Sequence, residues 1–255
     1  MSIDYVELHA RSAFSFLEGA STPEELIAVC RELKMPAMAL LDRNGLYGAP
    51  RFHLAAKKLD IKAHIGAEIT VSGLNPPVSR AKFRPVVSVP LLIRNRLGYQ
   101  NLCRLITLMK LRVPKLAKPG ECAITMDELA AHVEGLVCLT GGVDGPLAKV
   151  LHRTDPESAK LAQRNVEWLL DVFGKENVYA ELQRHFTRDE EACNQAVIEI
   201  ARRLKLPLMA TNGVGYALRA NAVCKVSERD HLGIDNRLAV PARTDSESDL
   251  EPRPA

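Results

Sequence analysis

Residues 32–42, Glu-Leu-Lys-Met-Pro-Ala-Met-Ala-Leu-Leu-Asp, read as the end of a helix, a proline turn, a short apolar run and a carboxylate. The run is apolar on both alternating faces, as expected of a strand buried on both sides. Residues 203–212, Arg-Leu-Lys-Leu-Pro-Leu-Met-Ala-Thr-Asn, repeat the pattern and again end on a polar residue. Short β-rich runs also occur at 5–9, 65–71, 86–93, 136–140 and 178–182, which with 37–41 and 208–211 makes seven. Helical patterns separate them. Thr22-Pro23-Glu24-Glu25 is a capping box with proline in the first turn, followed by an apolar face of Leu26, Val29, Cys30 and Leu33. Thr125 to Glu128 form a second box. Asp155-Pro156 opens a helix running to Phe173, and another spans 188–204 with Ala192, Val197, Ile200, Ala201 and Leu204 inward. Strands alternating with helices predict an α/β fold, either a parallel barrel or a doubly wound sheet. In both, the functional face lies at the C-terminal ends of the strands.

Composition agrees with one large α/β domain: 255 residues, 47% hydrophobic and 25% charged. There is neither a long uninterrupted apolar run nor a basic-then-apolar leader, so no membrane association and a cytoplasmic location are expected. The six cysteines are scattered without a C-x-x-C pair and predict free, mostly buried thiols.

Chemistry concentrates at 7–20, Glu-Leu-His-Ala-Arg-Ser-Ala-Phe-Ser-Phe-Leu-Glu-Gly-Ala. His9 closes a strand-like run. A second histidine two residues on would share its side of the strand and could help clamp a metal. Arg11 stands there instead, and a guanidinium has no lone pair to give.

This stretch, together with ALLDRNGLYGAPRFH at 39–53, IGAEITV at 65–71, LLIRNRLGYQNLCRLIT at 91–107, LVCLTGGVDGPL at 136–147, YAELQRH at 179–185 and LPLMATNGVGYA at 206–217, resembles a known family. It is the N-terminal PHP (polymerase and histidinol phosphatase) domain of bacterial C-family DNA polymerases, the polymerase III alpha type, nearest to the error-prone alpha-like subunit. The resemblance covers roughly 3–217. It implies a distorted (β/α)7 TIM-like barrel, with a PHP domain over 1–217 and an irregular, disordered tail over 218–255. It also implies that the chain stops before the palm, where polymerase chemistry resides. The implied partners are the rest of a C-family polymerase or its accessory proteins, and DNA.

Members of this family with full sites hold zinc, manganese or magnesium. Carried over residue by residue, the resemblance retains His9, Glu18 and Glu68 as vestigial ligands. Arg11 and Arg43 stand where histidines are usual, Ser88 lies near another, Gly142 replaces a cysteine or histidine, and Gly213 and Gly215 replace an aspartate and a histidine. Three positions of about nine are kept, too few for a stable cluster at three or four donors per ion. The expectation is that Arg11 and Arg43 pair with Glu18 and Glu68 in place of metal, that no cofactor is held, and that the chain has no catalytic residue of its own. The competing reading is a metal-dependent phosphoesterase or 3′–5′ exonuclease. A decayed fragment without function is a third.

Other polar residues are read more plainly. Glu181 and His185 are either remnants of ligand support or, preferably, groups that close loop hydrogen bonds. His53 is placed in a helix and His64 in a turn before a strand, neither as a ligand. Thr140-Gly141-Gly142 is a tight turn before it is a phosphate cradle. The charge pattern is independent of the family. Residues 73–120 contain ten basic residues and no Asp or Glu, whereas the other 24 basic residues face all 31 acidic ones. Such segregation marks either solvated charge or a surface for nucleic acid or an acidic partner, with Arg94, Arg96, Arg104 and Arg112 as its candidates.

Overall fold

The computed structural model describes residues 5–74, 86–113, 122–151, 156–185 and 188–218. Strand β1 (Glu7–Ala10) leads to helix α1 (Pro23–Glu32), β2 (Ala37–Arg43), α2 (Ala49–Lys58) and the long β3 (Lys62–Ser72). Next come β4 (Val86–Ile93), α3 (Arg96–Arg112), the two-residue β5 (Ile124–Thr125) and the short α4 (Met126–Ala130). The rest is β6 (Leu136–Leu139), α5 (Ala148–Leu151), α6 (Pro156–Phe173), a 3-10 turn at Lys175–Asn177, β7 (Val178–Gln183), α7 (Arg188–Leu204) and β8 (Leu208–Thr211). All seven expected strands are present; β5 is an addition that pairs beside β3.

The sheet order is β1-β2-β3-β4-β6-β7-β8. Just past β8, Val214 bridges in parallel to Ala10, with Arg11 N donating to Val214 O at 2.8 Å and Val214 N to His9 O at 2.9 Å. The sheet thus nearly closes on itself as a distorted TIM-like barrel. The distortion has a definite place. The expectation of parallel strands throughout is corrected at β4, which runs antiparallel to both β3 and β6. A parallel pair needs a crossover, usually a helix, whereas the 13 residues between β3 and β4 carry three prolines and no helical pattern.

Helix α1 starts as its sequence requires. Glu25 N donates to Thr22 Oγ1 at 3.3 Å and Thr22 N to Glu25 Oε2 at 2.7 Å, satisfying two otherwise orphaned amides. Its buried face, Leu26, Ile27 and Cys30, packs with Met38 and Leu40 of β2 and with Phe52 and Ala56 of α2. A larger core joins β3, β4, β6 and β7 to α3, α6 and α7 through Leu91, Leu102, Leu105, Val166 and Ile200. Burying each such side chain contributes about 1.5–3 kcal/mol. In α7, Val197, Ile200 and Ala201 are buried as expected and Leu204 is partly so, but Ala192 is exposed. His64 lies within β3 rather than before it, since the strand begins at Lys62. Cys30, Cys103, Cys122, Cys138 and Cys193 are free thiols. No helix among the described residues is long and apolar enough to cross a membrane. The tail expected over 218–255 lies, beyond Leu218, outside the described residues.

Candidate functional site

The C-terminal ends of β1, β2, β3 and β7 converge on a buried ionic cluster. His9, fully buried on β1, is held on both ring nitrogens: Nδ1 meets Glu181 Oε1 of β7 at 2.6 Å and Nε2 makes a short contact with Glu68 Oε1 of β3. Burial alone would push the imidazole pKa down, but the two carboxylates outweigh it and hold it up at about 10. His9 is therefore an imidazolium at neutral pH. Burial would likewise raise the two glutamates. For Glu68 the Arg11 and His9 charges reverse that and hold it well below the ordinary carboxylate range; for Glu181 the His9 charge lowers it.

Arg11 follows His9 by two residues and so shares its side of the chain. Its Nε and Nη2 donate to Glu68 Oε2 at 3.1 Å and Oε1 at 2.5 Å, a two-point pairing that matches the planar guanidinium to the carboxylate. Glu18 Oε2 lies 3.8 Å from Arg11 Nε. Arg43, at the end of β2, reaches Glu18 at 3.1 Å, Glu68 at 3.6 Å and Asp144 at 3.6 Å through Nη1. Ser88 of β4 adds a hydroxyl donor to Glu68 Oε2 at 3.1 Å.

Asp42 takes no part in these ion pairs. Its carboxylate accepts from Ser12 N at 2.8 Å, from Ser12 Oγ at 2.9 Å and from Ser15 Oγ at 2.8 Å, which pins the 12–20 loop across the mouth. The pinned loop closes so tightly that a Cβ at Gly19 would meet Ser12 O at 1.9 Å. Glu7, two residues before His9 on β1, is a further buried carboxylate. Burial pushes its pKa up to about 7, against the donors Tyr5 Oη at 2.6 Å, His9 N at 2.7 Å and Asn212 N at 2.9 Å.

The last side of the mouth is filled by Gln183, two residues beyond Glu181 on β7. Its Nε2 donates to Glu181 Oε1 at 2.9 Å. A Cβ at Gly142 would sit 2.2 Å from its Oε1, and one at Gly213 would sit 2.8 Å from its Nε2. The carboxamide therefore occupies the space that side chains at 142 and 213 would need. Thr211 also donates its hydroxyl to Glu181 in a short bond, and Thr140 Oγ1 accepts from Glu181 N at 2.8 Å.

Residues 7–185 match the PHP domain family. The chain belongs to that family. Among its relatives, an error-prone DNA polymerase of Anaeromyxobacter sp. (strain K) is 37% identical over 224 residues, covering 86% of this chain and 18% of the relative. A DNA polymerase III subunit alpha of Caulobacter vibrioides is 34% identical over 244 residues, 92% of this chain and 20% of the relative. The chain thus spans about a fifth of the length of these curated relatives. A solved structure from Bifidobacterium adolescentis, assigned as a metal-dependent phosphoesterase, superposes with a TM-score of 0.52 at 13% identity, covering 82% of this chain and 86% of that one. At that identity the likeness concerns the fold.

Against the PHP pattern, His9, Arg11, Glu18, Arg43 and Glu68 all meet in one cluster. Glu181 belongs to it too, at its centre rather than at a loop. Its alternation with Gln183 on β7 was the available signal for both. His185 is instead a loop closure: Nδ1 meets Glu190 Oε1 at 2.6 Å and Nε2 meets Asn212 O at 2.9 Å. His53 is exposed on α2. Both nitrogens of His9 face carboxylates, and Glu68 is spent on a guanidinium. Among the described residues no group of three or more His, Cys, Asp or Glu converges as metal ligands do. A cavity of about 740 Å³ lined by Leu33, Met35, Leu182 and Ile198 borders the site through Tyr5, Thr211 and Asn212 and includes none of the cluster's charged residues.

Of the cationic candidates, Arg94, Arg96, Arg104 and Arg112 are exposed on or beside α3. Arg112 is neutralised by an ion pair with Glu128. Of the remaining basic positions, Lys110 is exposed on α3, and Arg80, Lys82, Arg84, Lys115 and Lys118 lie outside the described residues.

Proposed function

We propose that this PHP domain is a non-catalytic, binding module of a C-family polymerase of the error-prone or polymerase III alpha type, acting in replication and damage-tolerant repair synthesis in the cytoplasm. The observation that carries this reading is the arginine pair. Arg11 and Arg43 put two permanent cations against Glu68 and Glu18, where the family's resemblance would put metal. Like charges at contact distance cost several kcal/mol at a protein-like dielectric, so a divalent ion and these guanidiniums exclude one another. His9, Glu18 and Glu68 are in this reading the vestige of a ligand set, stabilised by organic cations instead. The fold is preserved while the phosphoesterase chemistry is lost.

Metal analysis of the purified chain after dialysis tests the reading directly, with well under one ion of zinc, manganese or magnesium per chain expected. Stoichiometric metal accompanied by hydrolysis of a phosphodiester or of a DNA 3′ end would install the competing phosphoesterase or exonuclease reading. Primer extension by the isolated chain would overturn both. The partners in this reading are the remaining polymerase polypeptide or its accessory proteins. Direct DNA contact is a second reading, favoured by the acid-free stretch at 73–120. If DNA binds there, affinity falls steeply with salt, because each neutralised phosphate releases counterion.

A further inference from the structure

We propose that the outer face of α3 docks an acidic amphipathic helix of a protein partner, an inference that deepens the binding role proposed above and rests on it. Helix α3 is complete on its inner side. Leu102, Leu105 and Met109 are fully buried, Asn95 caps the N-terminus by accepting from Gly98 N at 3.0 Å, and the helix start presses on Gly135. Nothing in the barrel requires apolar residues on the other side. Yet Leu97, Leu108 and Leu111 are exposed along one flank of the helix, to 36%, 38% and 82%.

Their spacing is what matters. Leu97, Arg104, Leu108 and Leu111 recur at intervals of seven, four and three, which places them in one row along four turns, about 20 Å long. One exposed leucine on a surface is ordinary; a row at helical period on a helix whose core face is already full is a contact surface in search of a cover. Arg96 borders the row near its N-terminal end. None of Arg96, Arg104 and Lys110 forms an ion pair with a described residue; the side-chain partner of Arg104 is the neutral Asn101 Oδ1 at 3.4 Å. The sequence from 73 to 120 supplies no carboxylate that could neutralise them.

Those two facts select the partner. Uncompensated cations call for carboxylates or phosphates. A leucine row gains only from an apolar surface that displaces its water. A nucleic-acid backbone satisfies the first and wastes the second. An amphipathic helix with a leucine stripe edged by Glu or Asp satisfies both, with anchors spaced as helix-on-groove recognition spaces them.

The test uses the full chain and a labelled synthetic 18-residue helix bearing a leucine stripe flanked by glutamates. Its controls are the glutamine-flanked and lysine-flanked versions and single- and double-stranded DNA oligonucleotides. The acidic helix is expected to bind at least tenfold more tightly than the glutamine version. Leu108→Ser with Leu111→Ser, and separately Arg96→Glu with Arg104→Glu, should each weaken it tenfold or more. These side chains are exposed, so unchanged melting and circular dichroism certify the fold of each variant. The proposal fails if the acidic helix binds no better than its glutamine counterpart. It also fails if DNA binds more tightly than the acidic helix and responds to the arginine pair but not to the leucine pair. Metal content measured on the same samples keeps the two readings separate, since it reports on the barrel mouth and not on α3.

Discussion

The barrel mouth and the outer face of α3 use the same residue type in opposite ways. Arg11 and Arg43 are largely enclosed and each faces two or more carboxylates. Arg96 and Arg104 stand in solvent, without a carboxylate partner among the described residues. A guanidinium taken out of water must be repaid by fixed anions, so the mouth is specified group by group. A guanidinium left in water costs nothing to keep, so the α3 face is free to be composed for something outside the chain.

Breaking the comparison begins with the arginines. Arg11→Ala removes the two-point partner of Glu68, leaving it His9, Arg43 and Ser88, and is expected to cost about 1.5–3 kcal/mol in urea or thermal unfolding, whereas Arg104→Ala should change stability by less than about 0.5 kcal/mol. Equal losses at both sites would abolish the distinction.

The mouth should also impose a pH dependence that the surface does not. His9 has a folded pKa near 10, above its ordinary 6.5, so the stability it contributes is complete below about 6.5 and is lost as pH rises toward 10. Glu7, raised from 4.5 to about 7, has the same sign over its own range, losing stability as pH climbs through that window. Glu68 and Glu181 are held low, and their contribution is present above 4.5 and disappears as acid protonates them. Stability measured between pH 6.5 and 10 should therefore decline with a slope approaching about 1.4 kcal/mol per pH unit. His9→Gln should flatten that decline. A slope unchanged by this substitution would mean that another group governs it.

A smaller effect sharpens the picture of how the mouth is filled. Gly142→Ala drives a methyl into the Gln183 carboxamide, the end of a side chain that can shift, and should cost about 1 kcal/mol. In a Gln183→Ala background most of that cost should vanish, because the obstructing atoms are gone; strictly additive losses in the double-mutant cycle would show that Gln183 is not the obstruction. The smallest expected change is at Leu111. Leu111→Ser should leave the melting temperature of the free chain within about a degree, since a substitution on the surface rarely exceeds about 0.5 kcal/mol.

How much of this was legible beforehand differs between the same two regions. The seven strands, the capped helices and the polar residues at strand ends are local signals: a capping box or a proline turn acts over a few residues and is written in them. That Arg11 shares a side with His9 also follows from strand alternation alone, and the segregated charge of 73–120 needs only counting. The reversal of β4 is less local. It depends on which neighbours the strand pairs with, and the apolar run reads identically in either direction. Glu181 and Gln183 were legible as residues two apart on one strand face, but not as partners of His9, 172 residues earlier for Glu181. Asp42 read as a strand-end carboxylate facing the site, whereas folding commits it to Ser12 and Ser15. Sequence by itself determined the family, the succession of elements and the presence of arginines at 11 and 43, because each resides in residue identity and short spacing. Tertiary structure alone decided which carboxylate receives which cation, because ion pairing depends on distances set by barrel closure between segments far apart in the chain.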